Sequence, residues 1–258
     1  MSAPAWLVAA QARADVPPLH ERAPLDIGGA VCGSIEPALA ERLAEAGLPL
    51  CRSAGGWRIE APASASLASI AEWLHRNGFA GRWRDELLAV VDNAGRVLAD
   101  VERAVVRALG IATVAVHLVG VTGDGRVWVQ RRALDKATDP GLWDTLMGGQ
   151  VAAGETVETS LRRETMEEAG LDIGTLRDLR QTASLTVRRP VAEGYMVETI
   201  AVFVAIVGDG VEPRNLDGEV ETFACLDRAE LRERLAAGRF TLEATLILGR
   251  WLEQRDRG

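Results

Sequence analysis

The chain has 258 residues, of which 48% are hydrophobic and 26% are charged, and its formal net charge at pH 7 is -8. This composition is typical of a globular protein that buries a sizeable core in one large domain or two small ones. The negative charge argues against a nucleic-acid duplex or an anionic membrane as the partner. No stretch is apolar over the ~20 residues needed to span a bilayer, and the N-terminal apolar run lacks the basic region of a signal peptide.

The three cysteines do not form a recognisable site. Cys32, Cys51 and Cys225 are scattered, with no neighbouring cysteine or histidine at the spacing of zinc ligands. We interpret them as buried thiols of a protein in a reducing compartment, which predicts a cytoplasmic location.

The first part of the chain alternates between helical and extended patterns. Apolar periodicity and helix-ending residues predict helices over residues 4–14, 35–46 and 101–109, and a further helix in which Leu67, Ile70, Ala71 and Leu74 repeat at helical spacing. Ser34 is expected to cap the helix over residues 35–46, and Ser64 or Ser66 the further helix. Extended segments are predicted at 25–32, 57–61 and 87–91. Together these elements predict a small α+β domain over residues 1–110.

The remaining residues, 111–258, predict a second domain with more strands. Strands are expected at 112–121, 126–132, 183–188 and 198–207, and a short segment at 142–147 leads to two glycines. Helices are predicted at 228–236 and 242–254. His117 lies within the first, apolar strand, and we interpret it as a core histidine without a catalytic role.

Between these strands, a glycine-rich turn at Gly149 leads into a helix that ends at Gly170. Glu164, Glu167 and Glu168 have the i, i+3, i+4 spacing that places them on one helical face, where they repel each other by roughly a few tenths of a kcal/mol per pair. A bound divalent cation would reverse that cost. Oxygen ligands without histidine or cysteine favour Mg²⁺, or alternatively Mn²⁺, the usual partners of phosphate groups. A solvated helix face is the alternative interpretation.

Residues 149–171, GQVAAGETVETSLRRETMEEAGL, resemble the Nudix box, G-x5-E-x7-R-E-U-x-E-E-x-G-U. Glu155 and Arg163 occupy fixed positions of this pattern together with the glycines and glutamates already named. Only Thr165 stands where an aliphatic residue is usual. The resemblance implies a Nudix fold, an α/β/α sandwich around a mixed sheet, here preceded by the small α+β domain. It also implies hydrolysis of a phosphoanhydride bond in a small-molecule diphosphate.

The resemblance further implies roles for individual residues. Glu164 and Glu168 would be the principal metal ligands, Glu167 would be a ligand or the base, and the Gly149 carbonyl would complete the coordination. In many Nudix enzymes a glutamate from a late loop also binds metal or removes a proton from water, and Glu219 is the candidate that we favour here.

Two further candidates accompany these residues. Arg163 would pair with Glu155 or orient Glu164, so that Arg163 and Glu155 support the ligands. Glu221 follows the favoured late-loop glutamate closely, and an exposed strand position is an equally good interpretation of it.

Basic residues before the box are candidates for binding the substrate phosphates. Strand alternation directs Arg131 and Arg132 to opposite sides, and we favour Arg132 together with Lys136 over the alternative of solvated surface charges. An aromatic ring can stack on a heteroaromatic substrate, which makes Trp143 a candidate. Trp128 is expected to fill the core instead.

Segments outside the box, including His117–Val121 and Val127–Arg132, resemble a narrower Nudix group, related to the Nudix region fused to thiamine pyrophosphokinase in some fungi. Members carry an N-terminal α+β domain of unassigned role. This resemblance implies hydrolysis of oxidised thiamine diphosphates, such as oxothiamine and oxythiamine diphosphate, to the monophosphate and phosphate. Residues 1–110 would complete the pocket, form a homodimer surface or cover a sheet face.

Other functions of a Nudix fold are compared with the residues of this chain. A generic nucleoside or sugar diphosphate hydrolase stays open, and so does a non-enzymatic ligand-sensing module, although the intact glutamates disfavour a sensor. Isopentenyl diphosphate isomerases share the fold but need a cysteine near the box loop, where this chain has none. A zinc ribbon of the NADH pyrophosphatase type is absent from the sequence, and Tyr195 and Pro190 do not match the diagnostic positions of ADP-ribose and dinucleoside polyphosphate hydrolases.

Overall fold

The computed structural model describes residues 3–257. Its helices are α1 (Ala5–Ala14), α2 (Pro37–Glu45), α3 (Ala63–Arg76), α4 (Val157–Ala169), α5 (Arg228–Ala236) and α6 (Leu242–Arg257). Its strands are β1 (Ala23–Ile27), β2 (Ala30–Ile35), β3 (Leu50–Ser53), β4 (Gly56–Ile59), β5 (Leu87–Val91), β6 (Val97–Glu102), β7 (Thr113–Val121), β8 (Val127–Arg132), β9 (Trp143–Asp144), β10 (Met147–Gln150), β11 (Arg177–Val191), β12 (Gly194–Ile206) and β13 (Val220–Leu226). Within the described residues, no helix has the length and apolarity to cross a membrane.

The strands before residue 110 build a four-stranded sheet in the order β2-β1-β4-β3 and a separate β5-β6 hairpin. Helices α2 and α3 place Leu43, Leu67 and Leu74 in one buried cluster with Ile59 of β4 and Val90 of β5. The cluster draws on residues 25–111 alone, so this part of the chain has a hydrophobic core of its own.

A stability prediction follows from this core. Leu74 is fully buried in α3, and Leu74→Ala is expected to lower the free energy of unfolding by about 2–5 kcal/mol, because the lost methyl groups leave a cavity. Val97→Ala, at a strand position that is 66% exposed, is the control and should change it by about 0.5 kcal/mol or less. Urea unfolding followed by tryptophan fluorescence measures both values. Equal effects of the two substitutions would contradict the placement of this core.

The second sheet has seven strands, with β11-β12-β7-β8-β13 as its main order, β10 paired with β7, and β9 with β8. Strands β7 and β12 are parallel and the other pairs are antiparallel, so the sheet is mixed. One face packs on α4 through a core that includes Val116 and Leu161. The other face packs on α1, α5 and α6 through a core that includes Val119 and Leu248. The predicted α/β/α sandwich with a mixed sheet is confirmed.

Helix α1 crosses closely over α6 of the second unit. A Cβ added at Gly249 would lie 2.7 Å from Leu7 Cδ1, and Ala10 and Ala14 belong to the core beneath α6. The first helix therefore covers the second sheet, although it is separated from it in sequence by the first sheet. The proposed division into residues 1–110 and 111–258 stays a prediction.

Three local expectations were wrong. Ser34 does not cap α2, because it lies in β2, where its hydroxyl accepts a hydrogen bond from Arg22 Nε (3.0 Å). Ser64 and Ser66 lie inside α3, which follows Pro62 without a side-chain cap. The predicted helix over 101–109 is instead the end of β6 followed by a single 3-10 turn. Pairing with β5 overrides the local helical spacing there.

Candidate active site

Helix α4 carries the clustered glutamates, and its two ends are fixed by local interactions. Thr156 and Thr159 form a reciprocal capping box at the N-terminus. At the C-terminus Gly170 adopts φ 62°, and a Cβ there would lie 2.7 Å from the Arg214 carbonyl oxygen. Glycine is therefore required at position 170 by both conformation and space. The two ends set the rotation of the helix and hence the direction of the glutamates.

Arg163 holds three carboxylates at once. Its Nε and Nη2 donate to the two oxygens of Glu155 at 2.8 and 2.9 Å, and its Nη1 donates to Glu164 Oε1 at 2.8 Å and Glu167 Oε2 at 3.0 Å. The hydrogen bond from Arg163 lowers the pKa of Glu155 to about 2. Arg163 thus both pairs with Glu155 and orients Glu164, the two options that the sequence left open.

Glu164 is pressed against the glycine loop. A Cβ added at Gly149 would lie 2.0 Å from Glu164 Cδ, so only glycine leaves room for this carboxylate. Burial first, and then the repulsion of Glu168, raises the pKa of Glu164 to about 7. The charges of Glu164 and Glu168 repel each other in a buried environment. A cation bound between them would stabilise both charged carboxylates.

Glu168 is 2% exposed. Its Oε2 accepts hydrogen bonds from Gln130 Nε2 at 2.8 Å and from the Gly148 backbone N–H at 3.0 Å. Burial raises the pKa of Glu168 despite these donors. The sequence predicted the acid but gave no sign of Gln130, which reaches it from β8.

The donor set fits a hard divalent cation chemically, with carboxylate oxygens of Glu164 and Glu168 beside the Gly149 backbone. Within residues 3–257, no three acidic, histidine or cysteine side chains converge in a geometry that could hold a metal. The reason is visible in the contacts: Glu167 is half-exposed and turned to Arg163, and Glu219 is paired elsewhere. A cation held here would rely first on Glu164 and Glu168.

Lys136 and Glu219 form an ion pair at the mouth of the site. The loop before β13 is held by Asn215 Oδ1, which accepts from Asp217 N and Gly218 N, and by Asp217 Oδ1, which accepts from Glu219 N. Burial lowers the pKa of Lys136 to about 8. The structure therefore brings together two residues that are far apart in sequence.

Glu221, by contrast, lies exposed in β13. This position matches the interpretation of an exposed strand residue.

A cleft of about 160 Å³ adjoins the box loop. Gly148, Gly149 and Gln150 line it. Its other walls carry the cations Arg84, Arg103, Arg107, Arg132, Lys136 and Arg189 and the acids Asp139, Asp144, Glu198, Glu219 and Glu243. The cations on its walls suit a ligand with an anionic part. Of the predicted phosphate-binding residues, both Arg132 and Lys136 are in the cleft.

Trp143 is not brought to the cleft. Its ring packs against the core under α6, and the Arg234 guanidinium lies 4.9 Å from the ring centroid. Its backbone N–H donates to the Arg239 carbonyl, and its own carbonyl accepts from Thr241 N. These contacts place the indole where it cannot stack on a ligand in the cleft. Trp128 packs at the edge of the core beneath α4, as expected.

His117 is buried, as predicted, but it also lines the cleft. The Thr145 hydroxyl donates to the Met147 carbonyl at 2.8 Å, so it accepts from His117 Nδ1 at 2.9 Å. A Cβ at Gly148 would lie 2.5 Å from the His117 ring. The imidazole therefore shapes the wall next to the box.

Glu198 and Gln150 form a buried polar pair that the sequence analysis missed. Gln150 Nε2 donates to Glu198 Oε2 at 2.7 Å, and Thr113 Oγ1 donates to the same oxygen at 3.0 Å. Burial opposes ionisation of Glu198, but the charge of Arg107 and these donors lower its pKa. Gln150 Oε1 is buried without a protein partner. The sequence does place Glu198 within the apolar strand β12. That position could have indicated a buried polar pair, because a buried charge requires hydrogen-bonding partners.

Comparisons with known proteins agree with this geometry. The family model of the NUDIX domain matches residues 112–246. An uncharacterized Nudix hydrolase of Pseudomonas aeruginosa is 40% identical over 93 residues, 36% of this chain and 55% of that protein. An isopentenyl-diphosphate Delta-isomerase of Corynebacterium glutamicum is 32% identical over 127 residues, 48% of this chain and 66% of that protein. The chain thus spans about half to two thirds of the length of these relatives.

Among solved structures, the crystal structure of DR0079 from Deinococcus radiodurans has a TM-score of 0.53 and 25% sequence identity to this chain. The match covers 64% of this chain and 98% of that one. The similarity supports the sandwich described above.

Proposed function

The chain belongs to the Nudix family, and from this premise we propose that it is a divalent-metal-dependent hydrolase of a phosphoanhydride bond in a small organic diphosphate. One observation carries the proposal. The cleft is lined by Arg132 and Lys136 and by the box loop at Gly148 and Gly149. Glu164 lies directly against Gly149 of this loop. A diphosphate needs both features, because a metal ion and cations share the charge of its phosphate oxygens.

In the proposed reaction, Glu164 and Glu168 would hold a divalent ion, Mg²⁺ or Mn²⁺, together with the Gly149 carbonyl. A bound ion would supply positive charge that offsets the charge developing on the phosphate oxygens. Arg163 keeps Glu164 in place through the contacts described above. Lys136 and Arg132 bind the phosphates.

Hydrolysis also requires a general base that accepts a proton from water. Glu219 and Glu167 are the two candidates for accepting the proton of the attacking water. Glu219 lines the cleft, whereas Glu167 is 45% exposed at its side chain and bonded to Arg163. The position in the cleft favours Glu219.

For the substrate we propose oxidised thiamine diphosphates, cleaved to the monophosphate and phosphate. The support is the resemblance of the segments around the box to the thiamine-pyrophosphokinase-related group. A generic nucleoside or sugar diphosphate is the alternative. The same proposal includes a cytoplasmic location, with Cys32, Cys51 and Cys225 all free thiols, and leaves a homodimer as an expectation.

An isomerase is disfavoured by the position of the thiols. Cys32 lies in β2, Cys51 in β3 and Cys225 in β13, and none of the three lines the cleft. The box loop that passes the cleft carries glycines at 148 and 149. A ligand-sensing role is disfavoured because all three box glutamates are retained on α4.

The test is a panel of diphosphates incubated with the purified protein and Mg²⁺ or Mn²⁺. Phosphate release is the readout for monosubstituted diphosphates, and formation of AMP is the readout for ADP-ribose. We expect turnover that EDTA abolishes and that added Mg²⁺ restores, and the highest kcat/KM for oxothiamine or oxythiamine diphosphate. Isopentenyl diphosphate should give no isomer. Faster turnover of ADP-ribose would overturn the thiamine assignment, and no release from any diphosphate would overturn the hydrolase itself.

A further inference from the structure

Three arginines in the cleft come from outside the part of the chain that matches the family. Arg84, Arg103 and Arg107 all line it, and they precede residue 112, where the family match begins. An adjoining depression shares the same three side chains and is walled by Ala137 and Thr138, in the loop that also carries Lys136. The first unit of the structure therefore forms one wall of the candidate active site.

Backbone hydrogen bonds fix this wall against the second unit. The Ala153 N–H, in the box loop, donates to the Leu87 carbonyl at 2.8 Å. The Tyr195 N–H, at the start of β12, donates to the Arg107 carbonyl at 2.9 Å. These bonds lie on either side of the segment that carries Arg103. Arg103 is thus held in place at the cleft, and the backbone N–H of Arg84 donates to Glu102 Oε1 at 3.1 Å, which ties the loop of Arg84 to the end of β6.

The cations of the cleft differ in how they are neutralised. Arg103 pairs with Glu86 at 2.7 Å and Arg107 with Glu198 at 3.3 Å. In the same way Arg132 faces Asp144 at 3.5 Å, Lys136 faces Glu219, and Arg189 faces Glu243 at 3.4 Å.

Arg84 is the exception. Within residues 3–257, no acidic side chain lies within ion-pair distance of its guanidinium. The side chain is nevertheless half-buried. Burial, followed by the charges of Arg103 and Arg82, lowers the pKa of Arg84, the direction expected for a cation that lacks a counter-ion. An anionic ligand in the cleft would supply the missing charge.

We propose that Arg84, assisted by Arg103, binds the terminal phosphate of the substrate, and that the enzyme therefore selects monosubstituted diphosphates over diphosphates substituted at both ends. This inference rests on the proposed hydrolase function. A terminal phosphate carries up to two negative charges near neutral pH, whereas each phosphate of a disubstituted diphosphate carries one. The unpaired guanidinium matches that additional charge, and its planar fork suits the exposed oxygens of a terminal group.

The first test measures the affinity of the full chain for methylenediphosphonate, a diphosphate analogue that resists hydrolysis, by calorimetry in the presence of Mg²⁺. Arg84→Gln is expected to weaken binding by at least about tenfold, since it removes a charge-assisted contact. Arg84→Lys should retain part of the affinity. The control is Arg13→Gln, an equal charge change at an exposed residue of α1 that lines neither the cleft nor the adjoining depression, and it should alter the affinity less than about twofold. Because Arg84 has no ion pair to lose, its variants should keep the thermal midpoint of the wild type.

The second test compares kcat/KM for a nucleoside diphosphate or a thiamine-type diphosphate with kcat/KM for ADP-ribose. Arg84→Gln should lower the first by about tenfold or more and leave the second within about threefold. Wild-type affinity in Arg84→Gln, or equal losses of affinity in Arg84→Gln and Arg13→Gln, would overturn this inference without contradicting the proposed hydrolase function. A wild-type protein that neither binds methylenediphosphonate nor releases phosphate would instead refute the proposed function.

Discussion

Glu168→Gln is expected to reduce diphosphate hydrolysis by roughly a hundredfold or more while the protein stays folded. The substitution removes one negative charge from the proposed metal site at almost constant volume. Metal ions contribute several kcal/mol of charge stabilisation, and about 1.4 kcal/mol corresponds to a factor of ten in rate. The fold should survive, because the amide oxygen of glutamine can still accept the hydrogen bonds that Gln130 and Gly148 donate to Glu168. Removing a buried acid whose pKa is raised by burial should not destabilise the protein.

Steady-state phosphate release and thermal unfolding measure these two expectations. Glu158→Gln is the matched control, because Glu158 lies exposed in the first turn of the same helix. It changes the charge of α4 by the same amount and should leave kcat within about twofold. If Glu168→Gln retained more than a tenth of the wild-type turnover, Glu168 would not be a principal ligand.

The second large effect is expected from Gly149→Ala. The added methyl carbon would lie 2.0 Å from Glu164 Cδ and 2.3 Å from its Oε1, so the carboxylate has to move. Arg163 and the burial of Glu164 leave few alternative positions. We expect kcat/KM to fall by about a hundredfold, because a displaced carboxylate no longer holds the ion in register with the phosphate. A loss of Mg²⁺ affinity should accompany the loss of rate.

The control for this substitution is Gly55→Ala, where an added Cβ meets no atom within 4 Å. Both variants should be compared in Mg²⁺ titrations of activity and in thermal unfolding. If Gly149→Ala does not fold, the activity of Glu168→Gln tests the metal site instead. A folded Gly149→Ala protein with wild-type Mg²⁺ dependence would show that Glu164 does not act from this position.

Much of the fold followed from patterns close together in the sequence. The strands β7, β8 and β12 and the helices α3, α5 and α6 lie where periodicity placed them. Two of the failures share one cause. Residues 101–109 have helical spacing, but Val101 pairs with Leu88 of β5, and this partner lies outside the local window. Strand β13 was missed because it pairs with β8, from which it is separated by the whole box.

In the candidate site, too, the sequence predicted contacts between neighbouring residues and not contacts between distant segments. The position of Glu164, Glu167 and Glu168 on one helix depends on the pitch of that helix, and the residues that cap its two ends are its immediate neighbours. The pairing of Arg163 with Glu155 was likewise among the options, because both lie in the box. Trp143 failed as a substrate contact because the direction of its side chain depends on α6, to which no local pattern refers.

By itself, the sequence determined the acidic helix, the glycine loop before it and the two basic residues of the preceding loop. These features depend on interactions within a few residues, where backbone geometry fixes the neighbours. Only the tertiary structure decided that Arg84, Arg103 and Arg107 line a cleft beside the glycine loop, that Gln130 and Gly148 bond to Glu168, and that Glu219 meets Lys136. Contacts between distant segments depend on how two sheets and their helices pack, and that packing is set by the sum of many buried surfaces rather than by any motif.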